Sequence, residues 1–249
     1  MNLENKVAIV TGASGGIGQE IVKSLLKIGM QVVGLGRQTD KIESLDDGSG
    51  NLHALKVDIN NEEEIMEAFS WISSNLGAIY VLVNNAGVMP PSGILEGKSE
   101  NWKSIMDVNV VAVAVCAREA INNMKVYDVE GHIVNIGSTL GNYSSHLEDV
   151  TLYAASKFAV GALTENLRLE LIRAGTKIRV TTVSPGLVQT TLIHSYKSNV
   201  PAEEIDEFVN SVPHLKPEDV ANVVTFVITQ PQHLQICEVI MRATGEATP

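Results

Sequence analysis

Thr11-Gly12-Ala13-Ser14-Gly15-Gly16-Ile17-Gly18 follows the apolar run 6–10 and opens a segment carrying Ile17, Ile21, Leu25 and Ile28 at helical spacing. An apolar run, a glycine-rich turn and an amphipathic helix in that order read as a strand–turn–helix unit. The first N–H groups of a helix have no partner within it, so such a turn is a seat for an anionic, phosphate-bearing ligand. Gly12 permits the turn, Gly16 lets backbone come close to a pyrophosphate, and Gly18 lets the helix pack on its strand. A glycine-rich connection that binds nothing is a poor account of Gly12 and Gly16. It is a fair one of Gly18, which packs in either case.

Downstream of this unit, short apolar runs alternate with helical stretches to the end of the chain. Strands are expected at 31–35, 53–59, 79–83, 132–136, 177–183 and 235–241. Long helices are expected at 101–124 and 152–174, and another helix starts at Pro217, with proline in its first turn. The helix after the third strand begins near Asn60-Asn61-Glu62-Glu63, where an asparagine cap and early acids suit the positive end of the helix dipole. The long segment 186–213 carries one short helical pattern, after Pro201. Strand–helix alternation with no break in composition implies an α/β fold, a Rossmann-type doubly wound parallel sheet flanked by helices, in a single domain over 1–249. Ligands of such sheets sit beyond the carboxyl ends of the strands, where strand order reverses.

With 249 residues, 45% hydrophobic and 19% charged, the chain can bury a large core. A net charge of −11 argues against nucleic acid as a partner. No apolar run is long enough for a membrane span, and the first residues lack the pattern of a signal peptide. Cys116 and Cys237 read as reduced core residues of a cytoplasmic protein. The histidines are scattered, so no metal is expected.

Tyr153-Ala154-Ala155-Ser156-Lys157 carries the chemistry. On a helix, residues four apart stand one turn apart on one face, and an ammonium beside a phenol favours the phenolate, drawing its pKa down toward neutrality. A tyrosine so poised takes a proton from an alcohol or gives one to a carbonyl. Alone, such a pair is more often an ordinary helix-surface pair; the glycine turn upstream adds a nucleotide hydride carrier to the proton chemistry. Strand five ends in Ser138-Thr139, and either hydroxyl is a candidate to hold a substrate oxygen. Ser144, Ser145 and Ser156 read as solvent or helix-surface residues, and His146 as a loop histidine.

The glycine turn, Asn84-Asn85-Ala86-Gly87, a serine ahead of Tyr-x-x-x-Lys, and Pro185-Gly186 after strand six occur here in one order. That set resembles the short-chain dehydrogenase/reductase family across almost the whole chain; the last dozen residues, with Met241-Arg242-Ala243-Thr244-Gly245, match it less well. The resemblance implies a catalytic set of Asn109, Ser138, Tyr153 and Lys157, with Asn109 helping to hold a water that links Lys157 to solvent. It implies that Ile17 lies under the nicotinamide, that Asp58 contacts the adenine, and that Asn85, Ala86 and Gly87 line the adenosine side. Tyr153 and Lys157 also meet the cofactor, while Pro185, Gly186, Val188 and Thr190 run along the nicotinamide carboxamide.

The end of strand two chooses the cofactor. An NAD site offers a carboxylate there, whereas this chain has Gly36 followed by Arg37, and a guanidinium suits a 2′-phosphate. Ser14 adds a hydroxyl, and NADP(H) is expected. Asp40 reads as a helix cap. The basic residue frequent in NADP-binding relatives just before the middle glycine is replaced by Gly15.

The expected activity is NADP(H)-dependent interconversion of an alcohol and its carbonyl. Segments 187–213 and 140–152, with Met89, are expected to wall the substrate pocket with Leu140, Leu147, Leu187, Leu192 and Ile193. Tyr143 and Tyr196 stand at its rim, and Lys197 is the one cation nearby. The chain looks most like the subgroup holding insect farnesol dehydrogenases and steroid-active vertebrate reductases. That likeness implies a lipophilic small-molecule substrate, a farnesol-like isoprenoid first and a steroid or ecdysteroid ketone second. The family's habit of pairing long helices, and the apolar run Val110, Val111, Val113 and Val115, imply a homodimer or homotetramer. The rival reading is a dinucleotide-binding regulatory protein without significant turnover.

Overall fold

The computed structural model describes residues 3–144, 147–196 and 200–247; Ser145, His146 and Lys197 lie outside them. Seven parallel strands form one sheet in the order β3-β2-β1-β4-β5-β6-β7. They are β1 Val7–Thr11, β2 Gln31–Gly36, β3 Leu52–Lys56, β4 Ile79–Asn84, β5 His132–Ile136, β6 Arg179–Pro185 and β7 Glu238–Met241. The chain builds outward from β1 to β3, then returns to place β4 on the other side of β1. The reversal leaves a crevice at the carboxyl ends of β1 and β4.

Both faces of the sheet are covered, as strand alternation requires. From β1, Ala8 and Val10 face a core shared with helices α1 (Gly16–Lys27) and α9 (Pro217–Thr229). Val7 and Ile9 face the opposite core, shared with α3 (Glu62–Asn75), α5 (Ala112–Val126) and Leu171 of α6 (Thr151–Arg173). Asn61 caps α3, its side chain accepting hydrogen bonds from the N–H groups of Glu63 and Glu64.

Some expected elements differ. Strand β3 stops at Lys56 instead of reaching Ile59, because the Asp58 N–H is taken by the Glu64 carboxylate (2.7 Å) and Asp58 joins the turn into α3. The expected helix over 101–124 is α4 (Ser99–Met106), a π-helical turn Asp107–Val111, and α5. Asn109 sits inside the π turn, its side-chain amide held by the backbone of Val88 on both sides. One short helix was not anticipated, α7 (Leu192–Tyr196); α2 (Thr39–Glu43) is the helix that Asp40 was expected to cap, and α8 (Ala202–Ser211) is the pattern after Pro201. Asp40 lies in the first turn of α2 rather than at its cap, which is Gln38. Cys116 is buried, but Cys237 is exposed just before the edge strand β7.

Candidate active site

The turn between β1 and α1 bends where the sequence permits it. Gly12 and Gly16 take positive φ angles of 66° and 50°, which side chains rarely adopt. A Cβ on Gly12 would stand 2.9 Å from the Ala86 backbone, and one on Gly18 would overlap the Gly12 carbonyl oxygen. The glycine turn and the loop after β4 are therefore packed backbone to backbone. Thr11, which the motif reading passed over, fixes that contact. Its hydroxyl accepts from the N–H groups of Asn85 and Ala86, both at 3.0 Å, while the Asn85 amide donates to the carbonyls of Thr11 (2.9 Å) and Gly12 (3.2 Å). Asn84 is structural, buried and donating to Asn135 Oδ1.

These loops enclose a cavity of about 1210 Å³. It is lined by Gly12, Ser14, Gly16, Ile17, Arg37, Asp58, Asn85, Ala86 and Gly87 at one end. Ser138, Tyr153, Lys157, Pro185, Gly186, Val188 and Thr190 line the other. Gly18 and Asn109 are not on its wall. Gly18 is buried beneath Gly12, and Asn109 lies behind Gly87.

The first end fits an anionic dinucleotide. Helix α1 starts with no side-chain cap and no acid in its first turn, so N–H groups remain there for a ligand. Arg37 is exposed at the cavity edge and makes no ion pair among the described residues. At the end of β2, where a carboxylate would take the ribose hydroxyls, a Cβ on Gly36 would stand 3.3 Å from the Ser14 hydroxyl. That slot holds no acidic group, and a guanidinium and a hydroxyl flank it.

At the other end, α6 carries Tyr153 and Lys157 inward. Ser92, a second residue missed in the sequence, steadies the start of that helix: its hydroxyl lies 3.4 Å from the Tyr153 N–H and donates to the Asp149 carbonyl. Both reactive side chains are buried. Ser138 is near enough to act on the Tyr153 phenol, and its Oγ accepts from the Leu140 N–H at 3.1 Å. Lys157 Nζ donates to the Ile136 carbonyl at 2.9 Å and stands 5.7 Å from the centre of the Tyr153 ring. The sequence put Ser156 on a surface; it is fully buried, and Asn109 Nδ2 donates to its hydroxyl at 3.1 Å. The π turn is thus joined to Ser156 of α6 behind the cavity wall.

Burial dominates the electrostatics. It pushes the Tyr153 phenol up to about 12, with the Ser138 side chain pulling weakly the other way, and it lowers the Lys157 ammonium to about 8. This corrects the expectation of a phenol drawn toward neutrality by its lysine. Burial thus favours the protonated phenol of Tyr153, and Lys157 is held toward the Ile136 carbonyl.

The far part of the cavity is mostly apolar, with Val88, Met89, Leu140, Leu187, Leu192 and Phe208 on its wall. Leu147, Ile193 and Tyr196 line it as expected, but Tyr143 does not; it is stacked over Arg242. Glu148, Glu204 and Ile205 lie within the expected wall segments and also line it, although none was singled out in the sequence. Among the described residues no cluster of three or more His, Cys, Asp or Glu could hold a metal, and no helix is long and apolar enough to cross a membrane.

Comparison with known proteins matches this geometry. The family model "short chain dehydrogenase" covers residues 6–201. "Dehydrogenase/reductase SDR family member 11" of Gallus gallus is 44% identical over 248 residues, covering 97% of both chains. "Farnesol dehydrogenase" of Aedes aegypti is 37% identical over 247 residues, again covering 97% of each. Among solved structures, the closed form of a serine dehydrogenase complexed with NADP+ superposes with a TM-score of 0.86 at 31% identity, covering 94% of each chain.

Proposed function

The chain belongs to the short-chain dehydrogenase family and is an oxidoreductase, and from that premise we propose that it interconverts lipophilic alcohols and their carbonyls with NADP(H). One observation carries the reading: the buried Ser138–Tyr153–Lys157 cluster opens onto the same cavity as the uncapped start of α1 and Arg37, which makes no ion pair among the described residues. The serine dehydrogenase to which the chain is similar was solved with NADP+, which supports the choice of cofactor.

Gly12, Ser14, Gly16, Ile17 and Arg37 would hold the phosphate end, with Asp58 at the adenine and Asn85, Ala86 and Gly87 along the adenosine. Pro185, Gly186, Val188 and Thr190 would border the nicotinamide. When bound, the dinucleotide supplies or accepts the hydride. Ser138 orients the substrate oxygen toward Tyr153. In reduction Tyr153 gives its phenolic proton to that oxygen, and in oxidation it takes the alcohol proton. Lys157 holds the ribose hydroxyls and, as a cation, stabilises the phenolate left behind. The Asn109 backbone, in its π turn, holds the water through which the proton is resupplied.

The apolar lining, and 37% identity to a farnesol dehydrogenase, support an isoprenoid alcohol such as farnesol first and a steroid or ecdysteroid ketone second. An apolar wall separates homologous chains weakly, by about 1–3 kcal/mol per methylene. Activity should therefore spread over several apolar substrates, with KM falling as apolar bulk rises. The test is cofactor turnover across a panel of isoprenoid, steroid and small hydrophilic carbonyls, with NADPH and NADH in parallel. Far better turnover of small hydrophilic or anionic carbonyls than of farnesal or steroids would sink the substrate assignment.

A further inference from the structure

The last described residues run along the cavity and make contacts that the chemistry above does not use. Strand β7 is the edge of the sheet, and its Met241 carbonyl accepts from the Gly186 N–H at 2.8 Å. The chain then turns back at Gly245, whose φ of +89° suits glycine, and this returns Glu246 to the cavity wall. The Glu246 side chain is only 9% exposed. One carboxylate oxygen accepts from the Leu187 N–H at 3.2 Å and the other from the Ala243 N–H at 3.1 Å. A Cβ on Gly186 would overlap that carboxylate, so the glycine also makes room for it.

The same segment reaches the opposite loop. Arg242 Nη1 stands 4.0 Å from Glu246 Oε1, and its guanidinium lies 5.1 Å from the centre of the Tyr143 ring. At the start of β7, Glu238 Oε1 accepts from Asn142 Nδ2 and from the Ser184 hydroxyl, both at 2.8 Å. Asn142 and Tyr143 follow the 3-10 turn Thr139–Gly141 that Ser138 caps. Two loops on different strands are therefore tied to one short segment. A desolvated carboxylate is costly unless its oxygens find donors, and here one donor is the backbone of the loop after β6 and the other the backbone of the segment itself.

We propose that residues 238–246 form a strut that sets the distance between the loop after β5 and the loop after β6, with Glu246 and Arg242 as positioning residues. Glu246 fixes Gly186 and Leu187, and Arg242 carries that constraint to Tyr143. Its consequence for turnover rests on the function proposed above; the strut itself does not. Cutting it should leave the cluster Ser138–Tyr153–Lys157 chemically intact and loosen the wall on which the cofactor and substrate lie.

The test is hydrogen exchange by mass spectrometry on the ligand-free protein, comparing the unaltered chain with Glu246→Ala, Glu246→Gln and Arg242→Ala. Lys177→Ala, which breaks an exposed ion pair with Glu130, serves as the control. Glu246→Ala should speed exchange over 185–191 by about tenfold, the size expected for one lost charge-assisted hydrogen bond. Arg242→Ala should speed exchange over 139–144, and Glu246→Gln, which keeps one acceptor for the Leu187 N–H, should restore most of the protection. With NADPH and a turned-over carbonyl, Glu246→Ala should raise KM for both ligands more than it lowers kcat. Unchanged exchange in both loops overturns the strut, and so does faster exchange spread evenly over the whole chain. If the unaltered chain neither binds NADPH nor turns over any carbonyl, the proposed function fails while the exchange result still decides the strut.

Discussion

Lys157 and Tyr153 show how a buried pair is set by its surroundings rather than by its spacing. Burial lowers the Lys157 ammonium from 10.5 to about 8. Below about pH 8 both folded and unfolded chains carry that proton. Between about pH 8 and 10.5 only the unfolded chain does, so the native state gains stability as pH rises through that window. Lys157→Met removes the group and the slope. The stability of the unaltered chain relative to this variant should rise by an amount on the order of 3 kcal/mol between about pH 7 and 10.5. Urea unfolding of both proteins at several pH values measures it, and parallel curves would refute a desolvated ammonium. Arg37 makes the second residue-scale prediction. Arg37→Asp deletes a phosphate partner and installs a ribose acceptor beside Gly36, so preference should move from NADPH toward NADH. Kinetics with both cofactors check it; an unchanged ratio places recognition of the 2′-phosphate elsewhere.

At the scale of elements, the glycine turn tells three glycines apart. Gly12 and Gly18 are crowded by backbone, whereas a Cβ on Gly15 meets nothing within 4 Å. Gly12→Ala and Gly18→Ala should each lower stability by roughly 1–3 kcal/mol and weaken dinucleotide binding. Gly15→Ala should leave stability within about 0.5 kcal/mol, and chemical denaturation separates the cases. Much of this was legible in the sequence because each signal is local. A strand–turn–helix unit, an asparagine cap at Asn61 and a Tyr/Lys pair one helical turn apart all report on neighbours in the chain. Thr11, Ser92, Ser156 and Glu246 were not legible, since each acts through a partner 47 to 75 residues away or on another loop. The end of β3 was misplaced for a related reason. Its apolar run continues through Ile59, and only the Glu64 carboxylate reaching back to Asp58 ends the ladder. Nor does sequence spacing report burial, which pushes the phenol up to about 12 where the spacing suggested a shift toward neutrality.

At the scale of the whole molecule, the expected apolar surface of α5 is smaller than its valines suggested. Val113 and Val115 of α5 are buried within the chain, and of the four expected valines Val111, in the π turn before α5, is the exposed one, at 53%. Helix α6 adds Phe158, Leu169 and Ile172, which its period places along one exposed stripe. A surface of this kind favours association, and we propose that α5 and α6 pair across a homodimer or homotetramer. Light scattering at micromolar concentration should give a multiple of the chain mass, and Phe158→Glu with Ile172→Glu should shift it toward one chain. A monomeric mass for the unaltered protein would count against this assembly.

Tyr153 is the proposed proton donor and acceptor of the reaction, and one comparison tests that most directly. Tyr153→Phe keeps the ring in its buried place and removes only the exchangeable proton. NADPH affinity, read by fluorescence titration, should stay within a few-fold of the unaltered chain, while turnover of farnesal or of the best carbonyl in the panel should fall by about 10²–10⁴. Turnover within a few-fold of the unaltered chain, with NADPH bound equally well by both, would contradict it.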